Sequence, residues 1–382
     1  MAQRKALLGL MGQGIDRGVF PGGVLLVQVS GRTEHLSAHG RTSVDGAGEA
    51  MVAETCFDLA SLTKILATTN LALEAIQRGT LRLEDPLVSL LPQYQGPGKE
   101  PTTLLHLLEH ASGLPECRPY YRAFGDEVDR AWIGTRQGRD WIRQRVAEEP
   151  LVSPPGVTAL YSDLNFILLD WILERASGRT LDEAFRERVS TPLGIEDLFF
   201  VDQEDSSRVE IARRQRHFAA TERCPWRGRT LVGEVHDENT FAMGGISGHA
   251  GLFGTAEAIA QVCTSWLDSF HGRASLWEEG CIRRFWTRSA VPGSTRALGF
   301  DTPSPAPKYS AAGQGFGPGS VGHNGFTGTS IWLDPQRELF VVLLTNRVHP
   351  SRENLAIRPF RPRLHDLVVD EMFGGKFRVE SE

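Results

Sequence analysis

The chain has 382 residues, enough for two or three structural units around substantial cores. Apolar residues make up 41% and charged residues 23%, an ordinary balance for a globular protein. A net charge of −6 and a pI of about 6.0 imply no basic surface for nucleic acid, and no apolar run approaches the length of a membrane span.

In chain order, residues 1–11 hold a short apolar stretch that soon meets Gly14, Asp16 and Arg17, with no small-residue cleavage site. That pattern predicts an amphipathic helix rather than a signal peptide. Residues 22–29 read as a buried strand, and a turn at 30–32 leads to a second strand through His35 to His39. Residues 46–50 form a loop of small residues. The apolar run after Ser61 predicts a helix to about Arg78, stopped by Gly79. Helical patterns then dominate to about residue 290, over 104–109, 141–148, 166–176, 181–189 and 256–270. Residues 201–240 carry many charges without clear periodicity and read as a long irregular excursion. Residues 302–319, rich in Pro, Gly and Ser, read as a surface loop. Strands at 329–333 and 339–344 flank a turn at 334–337, and a last helix covers about 364–372.

Strands at both ends with helices between predict an α/β fold of the α+β type. A mainly antiparallel sheet is expected from residues 1–58 and 295–382, flanked by helices. A mainly helical region, residues 59–294, is expected to meet it at a cleft. The five cysteines (Cys56, Cys117, Cys224, Cys263 and Cys281) are odd in number, widely spaced and without a C-x-x-C. They predict reduced thiols and a cytoplasmic location.

Chemistry is concentrated in three segments. The first, Ser61-Leu62-Thr63-Lys64, sets an amine one helical turn from a hydroxyl, supplying the proton acceptor that serine attack on a carbonyl needs. With 24 serines and five lysines, chance gives about 0.3 such matches, so the companions matter. They are Tyr161-Ser162-Asp163, preceded by Ser153-Pro154-Pro155-Gly156, and Gly322-His323-Asn324-Gly325-Phe326-Thr327-Gly328, which leads into a strand.

Together these segments resemble the serine β-lactamase and penicillin-binding-protein superfamily, in its class C β-lactamase-like branch of esterases and DD-peptidases. Residues 107–115, 78–86, 192–195 and 248–253 extend the similarity over roughly residues 15–350. The resemblance implies that Ser61 is the acylated nucleophile, that Lys64 holds or accepts its proton, and that Tyr161 relays a proton to the leaving group. It matches His323-Asn324-Gly325 to the family's K-T-G strand element. It also implies an oxyanion hole from the main-chain N–H groups of Ser61 and Phe326. Gly325 is expected where backbone approaches the substrate. No cofactor is required.

Two positions depart from the family pattern. Asp163 replaces an asparagine, and its carboxylate can pair with Lys64 or repel an anionic substrate. His323 replaces a lysine and is mostly neutral at pH 7. Both favour a carboxylic ester, or a related amide, over a carboxylate-anchored D-amino-acid peptide or a β-lactam. Arg347 is a candidate replacement cation.

Rival signals remain. His106-Leu107-Leu108-Glu109-His110 fits the H-x-x-E-H zinc-peptidase signature, so a zinc hydrolase using His106 and His110 is an alternative. A non-catalytic binding relative is another. His236, Asp237 and His249 lie in irregular segments expected to shape the cleft. No G-x-S-x-G and no phosphate-binding glycine loop occurs. The expected partner is a small ester, amide or peptide, and the oligomeric state is not readable.

Overall fold

The computed structural model describes residues 4–46, 48–205 and 216–374. Two apolar stretches from opposite ends of the chain pair at its centre. Strand β1 (Gly22–Val29) runs antiparallel to β10 (Leu339–Thr345), from Gly23 opposite Thr345 to Val29 opposite Leu339. Strand β2 (Arg32–Gly40) borders β1, while β9 (Ser330–Asp334) and β8 (Val321–Asn324) border β10. The antiparallel order is β2-β1-β10-β9-β8.

Both faces of the central pair are covered, which explains why neither strand alternates with polar residues. Val24, Leu26, Phe340, Val342 and Leu344 enter a core shared with the helical region. Leu25, Val27, Leu339, Val341 and Leu343 enter a second core with the helices Lys5–Asp16 and Ile357–Phe373. Each such side chain contributes about 1.5–3 kcal/mol by burial. The helix Ala256–Phe270 packs on the first face.

A smaller sheet delivers the chain to Ser61. Strand β3 (Phe57–Asp58) and β4 (Leu198–Phe200) pair with opposite edges of β7 (Leu252–Gly254). A two-residue ladder joins β5 (Arg223–Cys224) to β6 (Arg229–Thr230).

Two expectations need correction. The last helix begins at Ile357, well before residue 364, despite an internal Pro362. Proline lacks the N–H that would bond the carbonyl four residues back. That carbonyl, of Arg358, instead accepts the Tyr309 hydroxyl at 3.1 Å. Residues 302–319 lack regular structure but are not wholly on the surface, since Ala311, Ala312 and Phe316 pack into the second core. The expected excursion at 201–240 lies partly outside the described residues. Beyond residue 215 it is largely buried, from Phe218 to Glu222 and again at Glu234–His236, and it reaches the cleft. Among the described residues no helix is long and apolar enough to cross a membrane. All five cysteines are unpaired.

Candidate active site

Ser61 lies in a tight turn ahead of the helix rather than inside it. Ala60 adopts φ +47°, a left-handed conformation that costs a non-glycine residue roughly 1 kcal/mol or more. The buried Asp58 carboxylate holds it there, accepting the Ala60 N–H at 2.8 Å and the His236 N–H at 2.6 Å. Burial raises the Asp58 pKa against the pull of these two bonds. The Thr327 hydroxyl donates to the Asp58 carbonyl (2.7 Å) and the Thr329 hydroxyl to that of Leu59 (3.2 Å), lacing the β8–β9 turn onto the Ser61 turn. A π-helical turn, Lys64–Thr68, then opens the helix that continues as Thr69–Gln77.

Lys64 is fully buried, and each of its three N–H groups has an acceptor. They are Ser61 Oγ at 3.0 Å, Asp163 Oδ1 at 2.7 Å and the His249 carbonyl at 3.1 Å. Burial depresses its pKa, but Asp163 and then Tyr161 more than restore it, so the net direction is upward and the amine stays an ammonium. Asp163, the first residue of the helix Asp163–Ser177, forms this ion pair while remaining partly open to the cavity.

Tyr161 is packed between rings and cations. His110 lies 4.7 Å away ring to ring and His323 5.8 Å, while Lys64 Nζ stands 5.1 Å and the Arg296 guanidinium 4.9 Å from the phenol ring. Burial, then Lys64 and Arg296, hold the His323 pKa well below the usual histidine range. Its Nδ1–H donates to the Asn324 carbonyl at 3.0 Å. Gly325 is required for packing: a Cβ there would collide with Thr329 Oγ1 and stand 2.6 Å from the Leu59 carbonyl. The Ser61 and Phe326 amide N–H groups meet no acceptor among the described residues. The half-exposed Phe326 ring lies against His236 (5.6 Å) and Arg347 (4.6 Å).

Ser61, Tyr161, Asp163, His323, Asn324, Gly325 and Phe326 line one cavity of about 840 Å³, with His236, Asp237 and His249 in its wall. Lys64 sits beneath it. Arg347 is not a free cation. Its guanidinium donates to the carbonyls of Phe326, Arg352 and Asn354, and burial followed by Arg358 lowers its pKa to about 10. Arg361 similarly holds the carbonyls of Gly325 (3.0 Å) and Thr329 (2.7 Å). No sequence motif marks three other contributors, Arg296, Arg358 and Asp58. In the cavity wall Arg296 forms an ion pair with Asp301 at 3.6 Å, and among the described residues the Arg358 side chain donates no hydrogen bond.

The zinc alternative is not supported. The helix Leu104–Leu108 ends before His110, whose φ of +57° turns it inward. His106 Nδ1 accepts the Thr103 N–H and His110 Nδ1 the Ser162 N–H, both structural bonds. Among the described residues one trio of potential metal ligands converges, Glu222, Cys224 and Glu238; it contains neither histidine, and Arg352 already bonds both carboxylates.

The family model described as Beta-lactamase matches residues 8–361. The chain belongs to the Beta-lactamase family. Among its relatives is an N-acetylmuramyl-L-alanine amidase of Bacillus subtilis (strain 168), 30% identical over 355 residues, covering 86% of this chain and 78% of that protein. Another is a putative D-alanyl-D-alanine carboxypeptidase of Escherichia coli (strain K12), 30% identical over 315 residues, covering 77% and 70%. Among solved structures, EstCE1, a hydrolase with promiscuous acyltransferase activity, has a TM-score of 0.69 at 22% identity and covers 94% of this chain and 98% of its own. Simvastatin synthase (LovD) from Aspergillus terreus has a TM-score of 0.71 at 20% identity, covering 97% and 99%. The two structures establish the fold: a β-lactamase/transpeptidase architecture. The family and the relatives' names make this member of the β-lactamase superfamily a hydrolase.

Proposed function

We propose that the protein hydrolyses a carboxylic ester, or a related amide, through an acyl-enzyme on Ser61. The observation that carries this reading is the hydrogen bond from a buried ammonium, Lys64, to Ser61 Oγ in the wall of an open cavity. Ser61 Oγ attacks the substrate carbonyl carbon, and its proton passes to Tyr161 and on to the departing alcohol or amine. The Lys64 ammonium, neutralised by Asp163, stabilises charge on Oγ during this transfer. The Ser61 and Phe326 N–H groups are free to receive the developing oxyanion, at about 3–4 kcal/mol for one well-placed donor. Water then attacks the acyl carbon and Tyr161 runs the proton transfer in reverse. A neutral His323 in the family's lysine position supports an uncharged leaving group.

A second reading, a peptide ending in a carboxylate, is favoured by one observation. Arg358, together with Arg296 beyond its 3.6 Å pair with Asp301, offers a guanidinium group in the same cavity. The test is mass spectrometry after exposure to a fluorophosphonate and, separately, a penicillin. The expected result is a covalent adduct on Ser61 with the first reagent, absent in Ser61→Ala. An unlabelled Ser61 refutes the acyl-enzyme. A stable penicillin adduct favours the peptidase reading over the esterase.

A further inference from the structure

The third acceptor of Lys64 belongs to a residue whose side chain is tied at both ends. His249 is buried, and its main-chain carbonyl takes a Lys64 N–H at 3.1 Å. Its ring Nδ1 lies 2.9 Å from Ser247 Oγ, and its Nε2 lies 3.1 Å from Asp237 Oδ1 and 3.2 Å from Thr240 Oγ1. The Ser247 hydroxyl has one proton and gives it to Asp170 Oδ2 at 3.1 Å. Asp170 is ion-paired with Arg143 at 2.7 Å and also accepts the Gly248 N–H at 2.6 Å. A serine that has spent its proton on a carboxylate can only accept from the ring, so Nδ1 is a donor. The Asp237 carboxylate accepts the Thr240 N–H at 2.7 Å, and although burial opposes it, His249 and Thr240 hold its pKa well below the usual carboxylate range, so it carries no proton and Nε2, 3.1 Å away, is a donor as well.

We propose that His249 is a positioning residue of the Ser61–Lys64 centre, an imidazolium whose two N–H groups bridge Asp237 in the cavity wall and the Ser247–Asp170 pair beneath it. Clamped at both nitrogens, the ring fixes the Gly248–His249 peptides. The Thr68 hydroxyl bonds the Gly248 carbonyl at 2.7 Å, and Lys64 bonds that of His249. The clamp therefore sets where the third N–H of Lys64 goes, and with it the direction of the N–H aimed at Ser61 Oγ. It also pairs Asp237, which would otherwise stand as an uncompensated carboxylate facing substrate. This assignment rests on the reading that Lys64 serves Ser61.

The test combines a spectrum with a rate. In protein labelled with 15N-histidine, two ring N–H protons protected from exchange should be observed for His249, identified by their disappearance in His249→Gln. Asp237→Asn, at the cavity wall, should abolish the Nε2–H signal. Phosphonylation of Ser61 by a fluorophosphonate, with loss of fluoride, should slow about 10- to 100-fold in both variants, the scale of a small misplacement of a catalytic group. A single ring N–H in the wild type overturns the cationic assignment. Phosphonylation rates within two-fold of wild type in both variants overturn the positioning role. Failure of Ser61 to react in the wild-type protein instead removes the acyl-enzyme reading, and the spectrum still decides the state of the ring.

Discussion

The Lys64–Asp163 pair sets the site apart from the family pattern at the level of single residues. A carboxylate 2.7 Å from a fully buried ammonium favours the charged form of the amine, whereas an asparagine would accept a hydrogen bond without that charge. The sign follows directly: Asp163 raises the Lys64 pKa, so replacing it lowers the pH at which the ammonium is lost. In Asp163→Asn the alkaline limb of kcat/KM should move to lower pH, with KM for an anionic ester reduced. Superimposable profiles for the two proteins would show that Asp163 does not control the amine. Asp163 and Lys64 were both legible in the sequence because they occur in short ordered segments. Asp58 was not: its role depends on accepting the His236 N–H from 178 residues away, and a lone buried aspartate leaves no local pattern.

Among the elements, the turn between β8 and β9 is the most demanding. It must press against the Leu59–Ser61 turn, and Thr327 and Thr329 bind the two together. Gly325→Ala introduces a methyl group where Thr329 and the Leu59 carbonyl already stand. Overpacking of this kind costs about 1–3 kcal/mol. The denaturation midpoint should fall, and Ser61 acylation in the remaining folded protein should slow. An unchanged midpoint would mean that the turn relaxes without cost. Strands β1 and β10 were readable as apolar runs because each is buried on both faces. The last helix was only half readable, since Pro362 reads as a terminator unless the Tyr309 hydroxyl that satisfies the freed carbonyl is known. The H-x-x-E-H pattern misled for a related reason. Sequence spacing assumes a continuing helix, and the chain leaves the helix at Glu109.

Across the whole molecule, partial or full burial holds seven of the eleven histidines below the usual histidine pKa. Burial lowers the pKa of His35 and His365 to about 4, and it leads the causes that lower those of His39, His106, His110, His323 and His349. The unfolded chain takes up these protons near pH 6.5 while the folded protein resists, so stability is full above that pH and declines as pH falls toward 4. The raised pKa of buried Asp58 acts in the opposite sense, since the folded state accepts that proton more readily than the unfolded chain. The urea midpoint should therefore drop steadily between pH 7 and pH 5; a flat profile would mean that these rings protonate without unfolding.

The pairing of β1 with β10 has a consequence for biosynthesis. The Gly22 N–H donates to the Asn346 side chain, 324 residues downstream, and among the described residues β10 is the only partner of that edge of β1. The β1–β2 hairpin therefore leaves the ribosome well before the neighbour that completes the sheet. Contacts of such long sequence separation form late and slowly. The β8–β9 turn that completes the pocket around Ser61 arrives in the same late segment, so the nucleophile gains its surroundings only after residue 330 has been made. Fragments truncated before residue 320 should be inert toward fluorophosphonate.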